Sequence, residues 1–239
     1  MLDIPLRSIV LDTETTGFKT SEGHRLVEIG CLELKNLIPT GEEFHVYVNP
    51  ERDMPEGAFK VHGLSIEFLS DKPLFEQVAD DFLKFCGDDI LVIHNAPFDM
   101  GFLNYELQKA NRPRLKQTTA NGGIIDTLTV ARKRYPTGPN SLDALCRRFG
   151  IDNSNRTLHG ALLDSELLAE VYMELMGGRQ TSFMDADAGG NNVSMANQAI
   201  LRQQKRPTKL ANLLSDAELK AHQEFISDEI GEKAIWHKL

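Results

Sequence analysis

An α/β fold followed by a tethered helical tail is what this sequence predicts, and three observations predict it. An apolar, β-rich run, Ile9 to Leu11, leads into a turn at Thr15-Thr16-Gly17, and two more alternating stretches follow in close succession. Beyond them, helical patterns alternate with short apolar runs, of which Ile90 to Ile93 has the continuous character of a central strand covered on both faces. With 239 residues, 41% of them hydrophobic, the chain is long enough for one sizeable domain with a real core plus something extra.

The first strand ends in Asp12-Thr13-Glu14. Carboxylates at i and i+2 of an extended strand project from one face. At about 4 Å and an effective dielectric near 20 they repel by roughly 4 kcal/mol, so a buried strand end needs a cation there. A hard divalent ion of the Mg²⁺ or Mn²⁺ kind suits oxygen ligands. An isolated Asp-x-Glu is common in an acidic protein, so the reading depends on carboxylates arriving from elsewhere.

A polar excursion through Lys19 to His24 precedes a second strand over Leu26 to Leu34, and Glu42 to Val48 reads as a third, antiparallel to its neighbour. A long loop then carries Pro55, Gly57 and Val61-His62-Gly63-Leu64, of a size that is often functional in a compact domain. A helix follows from Phe75 to Cys86, then the central strand, which ends in His94-Asn95-Ala96-Pro97-Phe98-Asp99. Pro97 suits the first turn of a helix, where its missing N–H has no partner to lose. Asp99 therefore sits in that first turn, on a stripe with Phe102, Leu103 and Ala110 that faces the core, although Glu106 blurs it. A carboxylate buried there needs a partner.

Ile124-Ile125 gives a short strand into Asp126, whose role as a structural or supporting residue is open. Thr127 to Arg134 reads as a helix ending before Pro136, and Ser141 as the N-cap of a helix over Leu142 to Phe149, closed by Gly150. The basic runs Arg132 to Arg134 and Arg147-Arg148 read mainly as solvated faces. In the segment His159 to Tyr172, a helix places Glu166, Glu170 and Glu174 on its polar side and Asp164 on its packing side with Leu168, Val171 and Leu175. His159 would lie about 140° away from Asp164 if it were helical, so it reaches the same site only from the loop before the helix.

Asp12, Glu14, Asp99 and Asp164 thus come from three distant segments, each directing an acid inward. Four negative charges in one pocket call for about two divalent cations, the arrangement of in-line phosphoryl displacement. His159, with an ordinary pKa near 6.5, suits the proton of an attacking water.

Asp12-Thr13-Glu14-Thr15-Thr16-Gly17, His94-Asn95-Ala96-Pro97-Phe98-Asp99 and His159-(x)4-Asp164 resemble, in order and spacing, the three motifs of the DEDDh 3'→5' exonucleases. The resemblance covers about residues 5 to 177. It implies a ribonuclease H-like fold, a mixed five-stranded sheet flanked by helices, with two Mg²⁺ or Mn²⁺ ions on Asp12, Glu14, Asp99 and Asp164 and His159 as general base. It further implies that Thr15, His62 and Phe98 hold the terminal nucleotide of a DNA 3' end beside Asp12, Glu14 and Asp164, with Asn95 in support. Within that family the likeness is to the proofreading subunits of bacterial DNA polymerase III.

The organisation expected is an exonuclease domain over 1–177, a flexible linker over 178–209 and a helical tail over 210–239. The linker is rich in Gly, Asn, Gln and Ala. Gln180-Thr181-Ser182-Phe183-Met184 resembles the sliding-clamp peptide of those subunits, with Phe183 in place of the usual aliphatic residue and no aromatic following it. Ser215-Asp216-Ala217-Glu218 is a capping box, and Leu214 with Leu219 has staple spacing. That helix, expected to run to about Ile230, has too little core to stand alone. The resemblance implies docking on the polymerase III catalytic subunit, with Trp236 as anchor, and leaves open a small accessory subunit. Residues 179–239 hold eight Lys/Arg and eight Asp/Glu, so the formal net charge of -9 belongs to the catalytic part.

That charge and a pI near 5.3 exclude a broad electrostatic footprint for duplex DNA, so nucleic-acid contact is expected to be local and metal-assisted. Cys31, Cys86 and Cys146 have no paired spacing, which disfavours a disulfide framework or zinc site. There is no basic stretch followed by an apolar one at the N-terminus and no run of 18 apolar residues, so a soluble, cytoplasmic protein is expected. Two other functions fit parts of the pattern: a stand-alone DEDDh exonuclease trimming RNA 3' ends, which does not require the tail, and a catalytically silent polymerase adaptor, which does not require the five catalytic positions.

Overall fold

The computed structural model describes residues 5–115, 123–154, 156–177 and 215–230. Three strands, β1 (Arg7–Thr15), β2 (Leu26–Lys35) and β3 (Ile38–Tyr47), pair antiparallel in succession. On the other side of β1, β4 (Ile90–Ile93) and β5 (Ile124–Asp126) pair parallel, giving the order β3-β2-β1-β4-β5. This is the expected mixed five-stranded sheet, with β1 at its centre. Among the described residues of the same unit, seven α-helices flank or cap it: α1 (Glu56–His62), α2 (Ile66–Leu69), α3 (Phe75–Cys86), α4 (Ala96–Lys109), α5 (Thr127–Arg134), α6 (Leu142–Phe149) and α7 (Ala161–Met176).

The period-2 alternation of β1 separates two cores. Ile9 and Leu11 pack with Phe75 and Phe82 of α3 and Phe102 and Leu103 of α4. Val10 faces the other way, among Leu145 of α6 and Leu168, Val171 and Tyr172 of α7. Asp12 and Glu14, in phase with Val10, continue that second face toward α7, while Thr13 points to the side of α4. All three cysteines are buried and unbridged, as small core side chains.

Two expectations are corrected. The third strand begins at Ile38, not Glu42, because Asn36 (φ 50°) and Leu37 (φ 69°) close a two-residue hairpin with positive φ at both positions. The stretch around Pro55 to Leu64 is not a loop but carries α1, and α2 follows it. Gly63, at φ 72°, ends α1 with its N–H on the Phe59 carbonyl (2.8 Å), and Ser65 caps α2 by accepting from Phe68 N (3.2 Å). Helices of seven and four residues are too short to display a periodicity.

Glu106, which blurred the apolar stripe of α4, is 2% exposed and held by Arg25, Nε to Oε1 at 2.5 Å and Nη2 to Oε2 at 2.8 Å. This bidentate pair ties the start of β2 to α4, next to the end of the sheet that carries the motifs.

The chain divides into two units between Asp185 and Ala186. In the second, Ser215 caps α8 (Asp216–Phe225): its Oγ accepts from Glu218 N (3.3 Å), and Glu218 Oε2 accepts from Ser215 N (2.8 Å), the expected capping box. The helix continues as a π-type turn over Ile226–Ile230. Residues 178–209, including Gln180, Phe183 and Met184, lie outside the described residues, as do Leu214 and Trp236. Among the described residues no helix is long and apolar enough to cross a membrane.

Replacing Arg25 by Met should strand a buried carboxylate and cost about 3–5 kcal/mol of stability, measured by urea unfolding. A loss under about 1 kcal/mol would show that Glu106 finds another partner or protonates cheaply.

Candidate active site

The site is built where β1 runs out. Across the β1–β2 ladder, Asp12 is opposite Gly30 and Glu14 opposite Glu28. Gly30 is a glycine because α7 begins against it: a Cβ there would fall 2.3 Å from the Ala161 carbonyl carbon and the Leu162 nitrogen. The contact is fastened by Ser165 Oγ donating to Gly30 O at 2.9 Å. Close approach of backbone to strand brings Asp164, in the first turn of α7 and 2% exposed, over Asp12 and Glu14.

Asp99 arrives from α4. Its helix starts at Asn95, in the left-handed region at φ 68°, whose N–H is bound by Asp126 Oδ1 at 3.0 Å. The same oxygen accepts from Leu128 N (3.0 Å), and Oδ2 accepts from Thr129 Oγ1 (2.8 Å). Asp126 is thus the cap that joins the starts of α4 and α5, which answers the question left by its sequence. Thr13 Oγ1 donates to Asp99 Oδ1 at 2.7 Å, so one strand carries two carboxylates on one face and, between them, the hydroxyl that holds a third.

His159 comes from the loop before α7, outside the helix, with Gly160 as N-cap. Its backbone N–H is tied to Val61 O of α1 at 3.0 Å, and its side chain is 47% exposed. Beside it lies Arg156, 7% exposed, bidentate on Asp164 (Nε to Oδ1 2.5 Å, Nη2 to Oδ2 2.6 Å) and bound to Asp143 Oδ1 through Nη1 (2.8 Å).

These groups surround one open cleft of about 970 Å³. Asp12, Glu14, Asp99, Asp164 and His159 all line it. So do the residues expected at the nucleotide: Thr15, whose Oγ1 donates to Gly17 O (2.6 Å); His62, 5% exposed, whose Nδ1 accepts from Leu64 N (3.1 Å); Phe98, its ring tilted by 50° against Phe102 at 5.2 Å; and Asn95. The cleft therefore gathers every expected site residue of the first 177.

The electrostatics follow from crowding. Burial, and then the charges of Asp99, Asp164 and Glu14, push the Asp12 carboxyl well above its ordinary value. Burial and then Asp164 push Glu14 up to about 8, with Glu28 adding to the effect. Burial lifts Asp99 to about 7 against the Thr13 hydrogen bond. With protein groups alone, these acids hold protons; a cation would displace them. His159 is lowered by burial and by the Arg156 charge, and His62 by burial, which keeps both rings neutral near pH 7. One carboxylate oxygen each from Glu14 and Asp164 and a ring nitrogen of His159 lie within 4.8 Å of one another. Carboxylate oxygens are hard donors, and with the ring nitrogen the set fits a divalent cation.

Sequence reasoning missed four contributors: Arg156, Thr13 as the holder of Asp99, Gly30, and the Glu28–His45 pair (2.7 Å) next to Glu14. Thr13 lay inside the first motif stretch and Arg156 three residues before the third, but nothing in one chain marks their partners. Gly30, inside a strand, is the kind of position that signals close backbone approach.

The family model for exonucleases of the RNase T type matches residues 9–172. Among curated relatives, the DNA polymerase III subunit epsilon of Rickettsia felis is 50% identical over 222 residues, 93% of this chain and 96% of the relative. That of Escherichia coli K12 is 47% identical over 222 residues, 91% of this chain and 90% of the relative. Among solved structures, Exonuclease X in complex with 5' overhanging duplex DNA aligns with TM-score 0.56 and 24% identity over 71% of this chain and 90% of that one. The zinc-bound Escherichia coli Exonuclease I complex with single-stranded DNA aligns with TM-score 0.64 and 19% identity over 76% and 42%. The structural likenesses establish the shared fold.

Two outcomes are expected. Because Glu14 and Asp99 hold protons more tightly folded than unfolded, and Asp12 shifts the same way, the stability they lend is full below their ordinary values near 4 and is lost progressively as pH rises from there to about 7 to 8. The melting temperature of metal-free protein should therefore fall over that range, less so in Asp99→Asn, and Mn²⁺ should restore it. A flat profile without metal would contradict the crowding. Gly30→Ala should displace the start of α7, costing about 1–3 kcal/mol and weakening Mn²⁺ binding in a calorimetric titration; unchanged binding would show that Asp164 is positioned independently of β2.

Proposed function

The chain belongs to the RNase T-type exonuclease family and, within it, to the DNA polymerase III epsilon subunits, and from that membership and its site we propose that it hydrolyses the terminal phosphodiester of a DNA 3' end as the proofreader of a replicative polymerase. The observation that carries the reading is the cleft in which Asp12, Glu14, Asp99, Asp164 and His159, from three separate elements and a loop, meet.

Asp12, Glu14, Asp99 and Asp164 would hold two divalent ions, Mg²⁺ or Mn²⁺, which supply acidification of a water and neutralisation of the phosphate charge. The ring of His159 is neutral near pH 7 and accepts the proton of the attacking water at Nδ1. The water oxygen bonds to phosphorus, the P–O3' bond breaks, and solvent protonates the departing 3' oxygen. The products are a 5'-mononucleotide and a strand shorter by one. Phe98, backed by Phe102, offers a face for the terminal base, while His62 and Thr15 border the sugar and phosphate. Glu14, Asp99 and Asp164 are buried at the cleft, so a splayed 3' end reaches them more readily than a stacked one, and a mismatched end splays at lower cost, which gives the selectivity of a proofreader.

Residues 1–177 form the nuclease domain, 178–209 a linker and 210–239 the tail that binds the polymerase catalytic subunit, with Trp236 as its anchor. The Gln180-to-Met184 peptide, through Gln180, Phe183 and Met184, is a contact for the sliding clamp, and the nuclease domain is the place for a small accessory subunit. The capped α8, whose sequence carries too few large apolar residues to stand alone, supports the tail assignment.

Digestion of a 5'-labelled primer on a template, matched or mismatched at its 3' end, should show metal-dependent stepwise shortening that is faster on the mismatch. His159→Ala should slow it by about 10²- to 10⁴-fold, and Asp12→Ala should abolish it without loss of fold. Shortening of RNA ends alone would favour a trimmer, and no shortening with either metal would favour an adaptor.

A further inference from the structure

Arg156 is the feature of the cleft that the mechanism does not use. A guanidinium only donates hydrogen bonds, so its contact with His159 Nδ1 at 3.0 Å occupies the lone pair of that ring and leaves the hydrogen on Nε2. The same Nη2 bonds Asp164 Oδ2 and Nε bonds Oδ1, so both oxygens of Asp164 are taken as well. Arg156 thus sits on the two groups that the reaction requires free, the metal-binding carboxylate and the base. Its third nitrogen is held elsewhere, on Asp143 Oδ1 at 2.8 Å, and Asp143, 42% exposed, is further fixed by Asn153 Nδ2 at 3.0 Å. Asp143 is outside the carboxylate cluster and provides a place for the guanidinium to stay when it leaves Asp164.

We infer that Arg156 is a metal-released latch: in the metal-free protein its guanidinium stands in for the cation by clamping Asp164 and His159, and entering divalent ions transfer it to Asp143, freeing both. Arg156 is a positioning residue here, acting through Asp164 and His159. The inference rests on the reading that the four carboxylates hold divalent ions. The guanidinium and the metal compete for the same carboxylate oxygens, so removing the former raises affinity for the latter, while removing the resting place on Asp143 lowers it. An arginine that merely braced the loop before α7 would weaken metal binding when removed.

The test is Mn²⁺ binding by the full-length chain, followed by electron paramagnetic resonance at fixed pH, for wild type, Arg156→Gln and Asp143→Asn. Arg156→Gln should bind Mn²⁺ about tenfold or more tightly than wild type, and Asp143→Asn more weakly by a similar factor. Asp143 is at the surface, so that variant remains informative should Arg156→Gln fold poorly. As a second readout, imidazole ¹⁵N resonances of wild type should report His159 as the Nε2–H tautomer with a hydrogen-bonded Nδ1, and the Nδ1 bond should be lost on titration with Mg²⁺. Equal or weaker Mn²⁺ binding by Arg156→Gln, or an Nδ1 bond that persists with Mg²⁺, would overturn the latch while leaving the metal centre standing. Wild type that binds no Mn²⁺ would overturn the metal centre and the latch together.

Discussion

Four carboxylates facing one another across a single cleft are the constraint on which the rest of this structure depends. Burial pushes Asp99 up to about 7, and burial together with the charges of Asp164, Glu28 and Asp99 pushes Glu14 up to about 8, where such acids would ordinarily titrate near 4. A fold does not gather such groups for stability, since an apolar end to β1 would pack better and repel nothing. On the proposed reading, a divalent cation would offset this cost; in its absence protons on the acids and the Arg156 guanidinium on Asp164 do so.

The sheet supplies the geometry. Pleating of β1 sends Asp12 and Glu14 to one side and Thr13 to the other, where its hydroxyl meets Asp99. Parallel pairing of β1 with β4 delivers the start of α4 to the same end, and Asp126, at the end of β5, fixes that start through the Asn95 amide. Gly30 allows α7 to lie directly on β2, and the His159 backbone is bonded to α1. The side chains lining the cleft are therefore placed largely by contacts of the strands and helices that carry them, so the cluster is preorganised by the fold. The hydrogen bond from His159 N to Val61 O also joins the loop before α7 to α1, which lines the same cleft.

Much of this was legible in the sequence. The strand carrying Asp12 and Glu14, the helix start with Pro97 and Asp99, and the buried phase of Asp164 were given by periodicities of 2 and 3.6, and the position of His159 outside the helix by angle alone. Motif spacing added the fold and the chemistry. What was not legible is tertiary or too short to be periodic. α1 and α2 lack the length for a stripe, and the hairpin at Asn36-Leu37 has none of the glycine that marks such turns. Glu106 looked like a flaw in α4 because its partner, Arg25, lies 81 positions away. Arg156 reads as one more polar loop residue, and only the folded chain shows its guanidinium spanning Asp143, Asp164 and His159.

The central claim is that these carboxylates form one centre for divalent ions. Anomalous diffraction from crystals grown with Mn²⁺ and a 5'-mononucleotide tests it directly. The account predicts manganese peaks within ligand distance of Asp12, Glu14, Asp99 and Asp164, with the nucleotide phosphate beside them. Manganese bound elsewhere on the protein, with the four carboxylates bare and the nucleotide in the cleft, would contradict it.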